Sequence, residues 1–231
     1  MHVSTLAREL LSDSKLWTEP DLPFEAMLFE AHPGVLIVAG ENCSGKSLLV
    51  QGLLGWGRHH HQISPIEVSI RQRVGGGTAE MGGFARTMMF GDETEQSTGA
   101  TSVGVLEGAF GTVESRAKDG KSALLVLDEP ELGLSDGYAH AMGTHLAQKA
   151  LSLPDSACGL VVVTHSRGLS SALAEELGEQ PSFLKLGLAQ DWAQWLQGEQ
   201  PRTVSELLQL SDLGRDRRRA ISAILNGFKR K

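Results

Sequence analysis

The sequence predicts an α/β domain in which a mostly parallel β-sheet is flanked by helices. Short apolar runs alternate with helical patterns along the chain, which is the order that βαβ units require. A glycine-rich loop, Gly40–Ser47, follows the apolar run 35–39 and precedes the amphipathic stretch 47–54. A strand, a loop and a helix in that order are typical of a sheet that gathers ligands at the carboxyl ends of its strands.

Apolar runs mark seven expected strands, and helical periodicity marks six expected helices. We expect strands at 26–29, 35–39, 66–70, 86–90, 124–127, 160–163 and 183–186. We expect helices at 46–54, 100–117, 136–151, 169–177, 204–210 and 215–226. The glycine-rich segment 74–83 indicates a turn or hairpin between two strands. The histidine tract 58–61 is expected to form a solvated loop, because adjacent residues cannot all converge on one metal ion.

Length and composition indicate one globular domain, 1–231, with a core at about 25–190 and a helical, basic tail at 191–231. No run approaches the roughly 20 apolar residues that span a bilayer, and the first ten residues lack a basic-then-apolar leader. We therefore expect a cytoplasmic protein without a membrane partner. The two cysteines, Cys43 and Cys158, are too few for a disulfide framework and are expected to be reduced.

The formal net charge of −7 is unevenly distributed. Seven of the 21 basic residues and one of the 28 acidic residues lie from Arg215 to Lys231, so this tail carries +6 and residues 1–214 carry −13. The acidic body is a poor nucleic-acid binder on its own, so any DNA contact would use the basic C-terminal tail. We favour a solvated terminal helix whose cations lie near its carboxyl end, where the helix dipole stabilises them.

The loop Gly40–Ser47 has the Gly-x4-Gly-Lys-Ser spacing of a phosphate-binding P-loop. In such a loop the glycines let backbone N–H groups surround a phosphate, the lysine reaches the β- and γ-phosphates, and the next hydroxyl binds Mg²⁺. A nucleoside triphosphate and Mg²⁺ are therefore the expected ligands. The expected nucleotide-binding residues here are Gly40, Glu41, Asn42, Cys43, Ser44, Gly45, Lys46, Ser47 and Leu48. Cys43 is interpreted as a small loop residue, and an oxidation-sensitive brake on nucleotide binding is the alternative.

Two adjacent carboxylates, Asp128 and Glu129, follow the apolar run 124–127. We expect Asp128 and Ser47 to hold Mg²⁺, and Glu129 to polarise the attacking water beside the γ-phosphate. His165 follows another apolar run and is expected at the same sheet edge, where it can hydrogen-bond the γ-phosphate. Lys46, Glu129 and His165 are thus the expected catalytic residues.

These residues resemble the ABC-type ATPase superfamily of P-loop NTPases: its Walker A loop, its Walker B strand with an adjacent catalytic glutamate, and its switch histidine. The pattern Asp-Glu-Pro-Glu-x-x-Leu-Ser at 128–135 is similar to the SMC-like branch of predicted AAA ATPases, which includes recombination-repair and anti-phage defence proteins. The resemblance covers about residues 25–190. It implies an ABC-ATPase-like head with a short antiparallel β part.

In that superfamily a signature loop from a second subunit closes on the nucleotide. The best match implies that Ser97 and Gly99 contact the partner's γ-phosphate from the start of a helix, although Ala100 stands where a second glycine is usual. A simple N-capped helix start is the alternative. The superfamily also implies a glutamine that senses Mg²⁺ and the γ-phosphate, and we choose Gln72 over Gln62.

The resemblance implies an ATPase that dimerises around ATP and controls an effector protein, such as a nuclease, in DNA repair or phage defence. The expected assembly is a homodimer or a hetero-assembly with that effector. A nucleotide-gated binding module with little turnover is one alternative, and the ATPase subunit of a transporter is another. Ser97 lies only 51 positions after Lys46, which argues against the transporter, since transporter subunits resemble one another in having a longer helical subdomain there. Trp192 and Trp195 share a helical face and suit either the core or a partner surface.

Overall fold

The computed structural model describes residues 1–69, 98–198 and 201–229, in which a six-stranded sheet carries helices on both faces. The strands are β1 Ala26–Phe29, β2 His32–Gly40, β3 Ser64–Ser69, β4 Ala123–Asp128, β5 Gly159–Val163 and β6 Pro181–Leu186. The helices are α1 Val3–Asp13, α2 Lys46–His61, α3 Thr98–Lys118, α4 Asp136–Leu151, α5 Arg167–Leu177, α6 Trp192–Leu196 and α7 Val204–Lys229.

The order of the strands explains where a ligand site can form. The sheet runs β1-β6-β2-β5-β4-β3, with β1 antiparallel to β6 and the other four pairings parallel. Because β2, β5 and β4 are consecutive parallel neighbours, their carboxyl ends at Gly40, Val163 and Asp128 lie along one edge. Three segments that are distant in sequence therefore meet at that edge.

Alternating residues of the central strands build two cores, one on each face of the sheet. In β2, Leu36 and Val38 pack with α1 and α2, whereas Val35 and Ile37 pack with α3, α4 and α5. All four side chains are buried. A continuous apolar run that is buried on both faces is typical of a parallel strand covered by two helical layers.

The predicted α/β class with a mostly parallel sheet is confirmed. The expected strand 26–29 and the expected helix 136–151 match β1 and α4 residue for residue, and the other described strands agree to within three residues at each end. The expected helices 100–117 and 169–177 begin two residues earlier in the structure. The expected strand 86–90 and the glycine-rich segment 74–83 lie outside the described residues.

The histidine tract is not a loop, because it forms the last turn of α2, but residues 58–60 are solvent-exposed as expected. The His60 ring stacks on Trp56 with 4.0 Å between ring centroids, and His61 Nε2 lies 2.6 Å from Glu9 Oε2. These contacts hold the side chains against α1 and α2.

The carboxyl-terminal part of the chain also differs from the expectation. The helices expected at 204–210 and 215–226 form one continuous helix, α7. Trp195 is buried and Trp192 packs edge-on against Phe183, so both tryptophans belong to the core. The short helix α6 that carries them begins at a capping box formed by Asp191 and Gln194.

Helix α1 was not expected and contributes fully buried side chains to the core. Val3, Leu6 and Leu10 recur at helical spacing and pack with α2 and the sheet. Among the described helices, none is both long enough and apolar enough to cross a lipid bilayer.

Candidate functional site

A cavity of ≈ 610 Å³ opens at the carboxyl ends of β2, β5 and β4. Most of its lining consists of residues that the sequence singled out: Asn42, Cys43, Ser44, Gly45, Lys46, Ser47, Leu48, Asp128, Glu129 and His165. The remaining lining residues are Phe24, Gly214, Arg217, Arg218 and Ile221. Three separate sequence motifs thus share one cavity.

The Gly40–Ser47 loop needs its glycines for close packing. At Gly40 an added Cβ would overlap Ser44 Oγ and lie 2.9 Å from the Leu186 carbonyl oxygen. Gly45 has a φ of 99°, and its missing Cβ would lie 2.7 Å from the Phe24 ring. Cys43 also adopts a left-handed φ of 63°, which costs a non-glycine residue about 1 kcal/mol. The loop is therefore held in a tight conformation.

Lys46 begins α2 and lies within the loop. Its ammonium group donates to the carbonyl oxygens of Gly40 at 2.7 Å and Glu41 at 3.0 Å. Burial lowers the pKa of Lys46, while the carboxylates of Glu129 and Asp128 act in the opposite direction. A half-buried cation therefore stands in the cavity beside two carboxylates.

Glu129 is fixed by its backbone at the end of β4. Its φ of 53° is left-handed, and its N–H donates to the Val163 carbonyl oxygen of β5 at 2.8 Å. His165 Nε2 lies 3.6 Å from Glu129 Oε1, across the junction between β4 and β5. Strained backbone conformations of this kind cost about 1 to 3 kcal/mol and cluster at functional sites.

A buried network connects the segments that carry Glu129 and His165. The Thr164 hydroxyl donates to Glu131 Oε1 and accepts from the Ser166 N–H at 2.8 Å. The Thr164 N–H donates to the Val38 carbonyl oxygen at 3.2 Å, which ties the same segment to β2. Burial raises the pKa of Glu131, and the hydrogen bond from Thr164 partly offsets this shift.

Helix α7 forms the wall of the cavity that faces the loop. Arg217 Nη1 donates to the Cys43 carbonyl oxygen at 2.7 Å, and Cys43 Sγ lies 3.7 Å from the Leu210 carbonyl oxygen. Arg202, just before α7, forms an ion pair with Glu41. The loop and the basic tail are therefore in direct contact.

The residues present suit a nucleotide with Mg²⁺. Ser44 Oγ is buried and has no hydrogen-bond partner among the described residues, so a polar group on a ligand could bind it. Among the described residues no three His, Cys, Asp or Glu side chains are grouped to hold a metal ion. Mg²⁺ is commonly bound by one or two protein oxygens together with substrate phosphates, and Ser47 and Asp128 could supply those oxygens.

The second-subunit and glutamine predictions are not tested by the geometry. Ser97 and Gln72 lie outside the described residues, and Gly99 lies in the first turn of α3, where only the backbone is described. Sequence reasoning missed Phe24 and the part of α7 that lines the cavity. The basic composition of α7 was a readable signal, but its position over the loop was not.

No protein-family model matches the chain, and no curated protein matches it significantly.

Proposed function

We propose that this protein is an ABC-type ATPase that binds and hydrolyses ATP, dimerises around it, and controls a partner effector in DNA repair or phage defence. The observation that carries the proposal is the convergence of the Gly40–Ser47 loop, the Asp128–Glu129 pair and His165 on one cavity. A lysine-bearing glycine-rich loop beside a carboxylate pair suits a magnesium-bound nucleoside triphosphate. The assignment to the ABC type and the partner effector rest on the resemblance of the motifs.

We assign each side chain a role that its position supports. Lys46 and the loop N–H groups would bind the phosphates, and Ser47 and Asp128 would hold Mg²⁺. Bound Mg²⁺ would neutralise charge on the phosphates. Glu129 would accept the proton of the attacking water, and the nearby His165 would orient that water. The bond from the Glu129 N–H to β5 would hold the base in place during this transfer.

The decisive experiment is light scattering of the Glu129→Gln protein with and without magnesium-ATP. The glutamine keeps the shape of the side chain but cannot accept the proton, so ATP should remain bound and the protein should shift from monomer to dimer. Phosphate release should fall by about 10²- to 10⁴-fold, the usual contribution of a general base. Lys46→Ala should abolish both binding and dimerisation.

Glu175→Gln is a matched control, because Glu175 is exposed on α5 and does not line the cavity. It should behave as the wild type in both assays. Phosphate release by Glu129→Gln at the wild-type rate would contradict the assignment of the base, and a monomer with ATP bound would contradict the dimer. ATP binding by the wild type without multiple turnover would favour the nucleotide-gated module instead.

A further inference from the structure

We propose that Arg217 of α7 binds the phosphates of the nucleotide from within the same chain. The inference rests on the proposed nucleotide-binding function and adds to it a residue outside the Gly40–Ser47 loop. It gives the basic C-terminal tail a role in the nucleotide site in place of a purely solvated surface.

The first step is the contact between α7 and the loop. Arg217 donates to the Cys43 carbonyl oxygen, and the ion pair between Arg202 and Glu41 lies near the amino-terminal end of the helix. Gly214 lies so close to the loop that a Cβ there would be 3.1 Å from Cys43 Sγ. The absence of a side chain at position 214 thus lets the helix backbone approach Cys43, and Arg217 follows one turn later.

The second step is the position of the Arg217 side chain. It is half-buried and lines the cavity that also contains Lys46, Asp128 and Glu129. Its bond to the Cys43 carbonyl uses one of the five N–H groups of a guanidinium, whose planar fork suits phosphate oxygens. By contrast, Arg219 is 73% exposed, pairs with Asp216 and does not line the cavity.

The third step is the charge of the cavity. The sheet and the loop contribute one ammonium group, Lys46, against the carboxylates of Asp128 and Glu129. Arg217 and Arg218 of α7 add two guanidinium groups, which change the lining from net negative to net positive. A triphosphate carries several negative charges, so the guanidinium groups of α7 improve the match between the charge of the cavity and that of its ligand.

The test compares magnesium-ATP binding by calorimetry in four proteins: wild type, Arg217→Gln, Arg217→Lys and the control Arg219→Gln. Arg217→Gln keeps a neutral donor for the Cys43 carbonyl but removes the charge, and it should weaken binding by about 10- to 100-fold. Arg217→Lys keeps the charge and should weaken binding by less than about tenfold, through loss of the planar fork. Arg219→Gln should stay within about twofold of the wild type.

Melting temperatures without nucleotide show whether each variant is folded. If Arg217→Gln does not fold, Arg217→Met keeps the aliphatic packing without the charge and should show the same loss. Unchanged or tighter binding by the neutral variants would overturn the inference, and tighter binding would mean that α7 competes with the nucleotide. Normal binding by Arg217→Gln together with weak binding by Arg217→Lys would also overturn the inference, because Arg217 would then only stabilise the loop conformation. If the wild type itself does not bind magnesium-ATP, the proposed function fails and the inference fails with it.

Discussion

Replacing Thr164 by valine should destabilise the protein strongly, although the two side chains have almost the same shape. Thr164 is fully buried after β5, and its hydroxyl bridges Glu131 Oε1 and the Ser166 N–H. Valine removes both hydrogen bonds and leaves both partners without this contact. Losing a hydrogen-bond partner costs each of these part-buried groups about 1 to 3 kcal/mol. Because Glu131 also accepts backbone hydrogen bonds that remain, the free energy of unfolding should fall by about 2 to 4 kcal/mol.

Urea unfolding followed by circular dichroism near neutral pH measures this loss. Thr164→Ser is the matched control, because it keeps the hydroxyl and loses one methyl group, which should cost only about 1 kcal/mol. The hydroxyl network would have no energetic role if Thr164→Val were as stable as the wild type to within about 0.5 kcal/mol. The same conclusion would hold if valine were tolerated better than serine.

Three further predictions concern burial and close packing. Burial raises the pKa of Glu131 above 4.5, so the stability gained from its protonation is complete below that value and is lost as pH rises through the higher folded-state pKa. The glutamine of Glu131→Gln does not titrate, so this variant does not lose stability in this way. Urea unfolding between pH 4.5 and about pH 8 should therefore show the variant gaining stability relative to the wild type. Parallel profiles of stability against pH for the two proteins would contradict this prediction. Gly143→Ala should lower the free energy of unfolding by about 1 to 3 kcal/mol or more, because the added Cβ would overlap a carbonyl oxygen of α5. The control Gly137→Ala lies on the same helix with open space around its Cβ, so in the same unfolding assay it should be neutral or stabilising by up to about 1 kcal/mol. Burial raises the pKa of Cys158 to about 12, whereas Cys43 is exposed. Brief alkylation of the folded protein followed by mass spectrometry should therefore find label on Cys43 alone. Label on both cysteines would mean that the core opens readily.

Much of the fold could be predicted from the sequence because its central strands are buried on both faces. Runs such as 124–127 and 160–163 are apolar throughout, which marks parallel strands without any knowledge of their neighbours. Helix α1 carries an equally readable signal, because Val3, Leu6 and Leu10 recur at helical spacing.

The continuity of α7 was harder to predict because Gly214 lies in its middle. Glycine costs about 1 kcal/mol in a helix relative to alanine, which favoured two helices separated near this position. In the structure Gly214 packs beside Cys43 Sγ, which would lie 3.1 Å from an added Cβ. The glycine therefore serves a tertiary contact, and local propensity could not indicate its partner.

Some features of the candidate site follow from local sequence, whereas others depend on contacts between distant segments. That Lys46, Asp128 and Glu129 share one sheet edge could be predicted because glycine spacing and strand ends are local features. Neither the left-handed φ of Glu129 nor the network through Thr164 has a sequence signature, since each depends on how neighbouring strands end.

The clearest example of this dependence is Cys43, whose backbone conformation would ordinarily favour glycine. Its carbonyl oxygen accepts from Arg217, and its Sγ lies beside the backbone of α7 at Leu210 and Gly214. The cysteine at this position therefore carries about 1 kcal/mol of backbone strain, which its contacts with a helix more than 160 residues away in sequence offset. The loop conformation and the position of α7 are coupled through this residue, so a phosphate group that reshapes the loop would act directly on the basic helix.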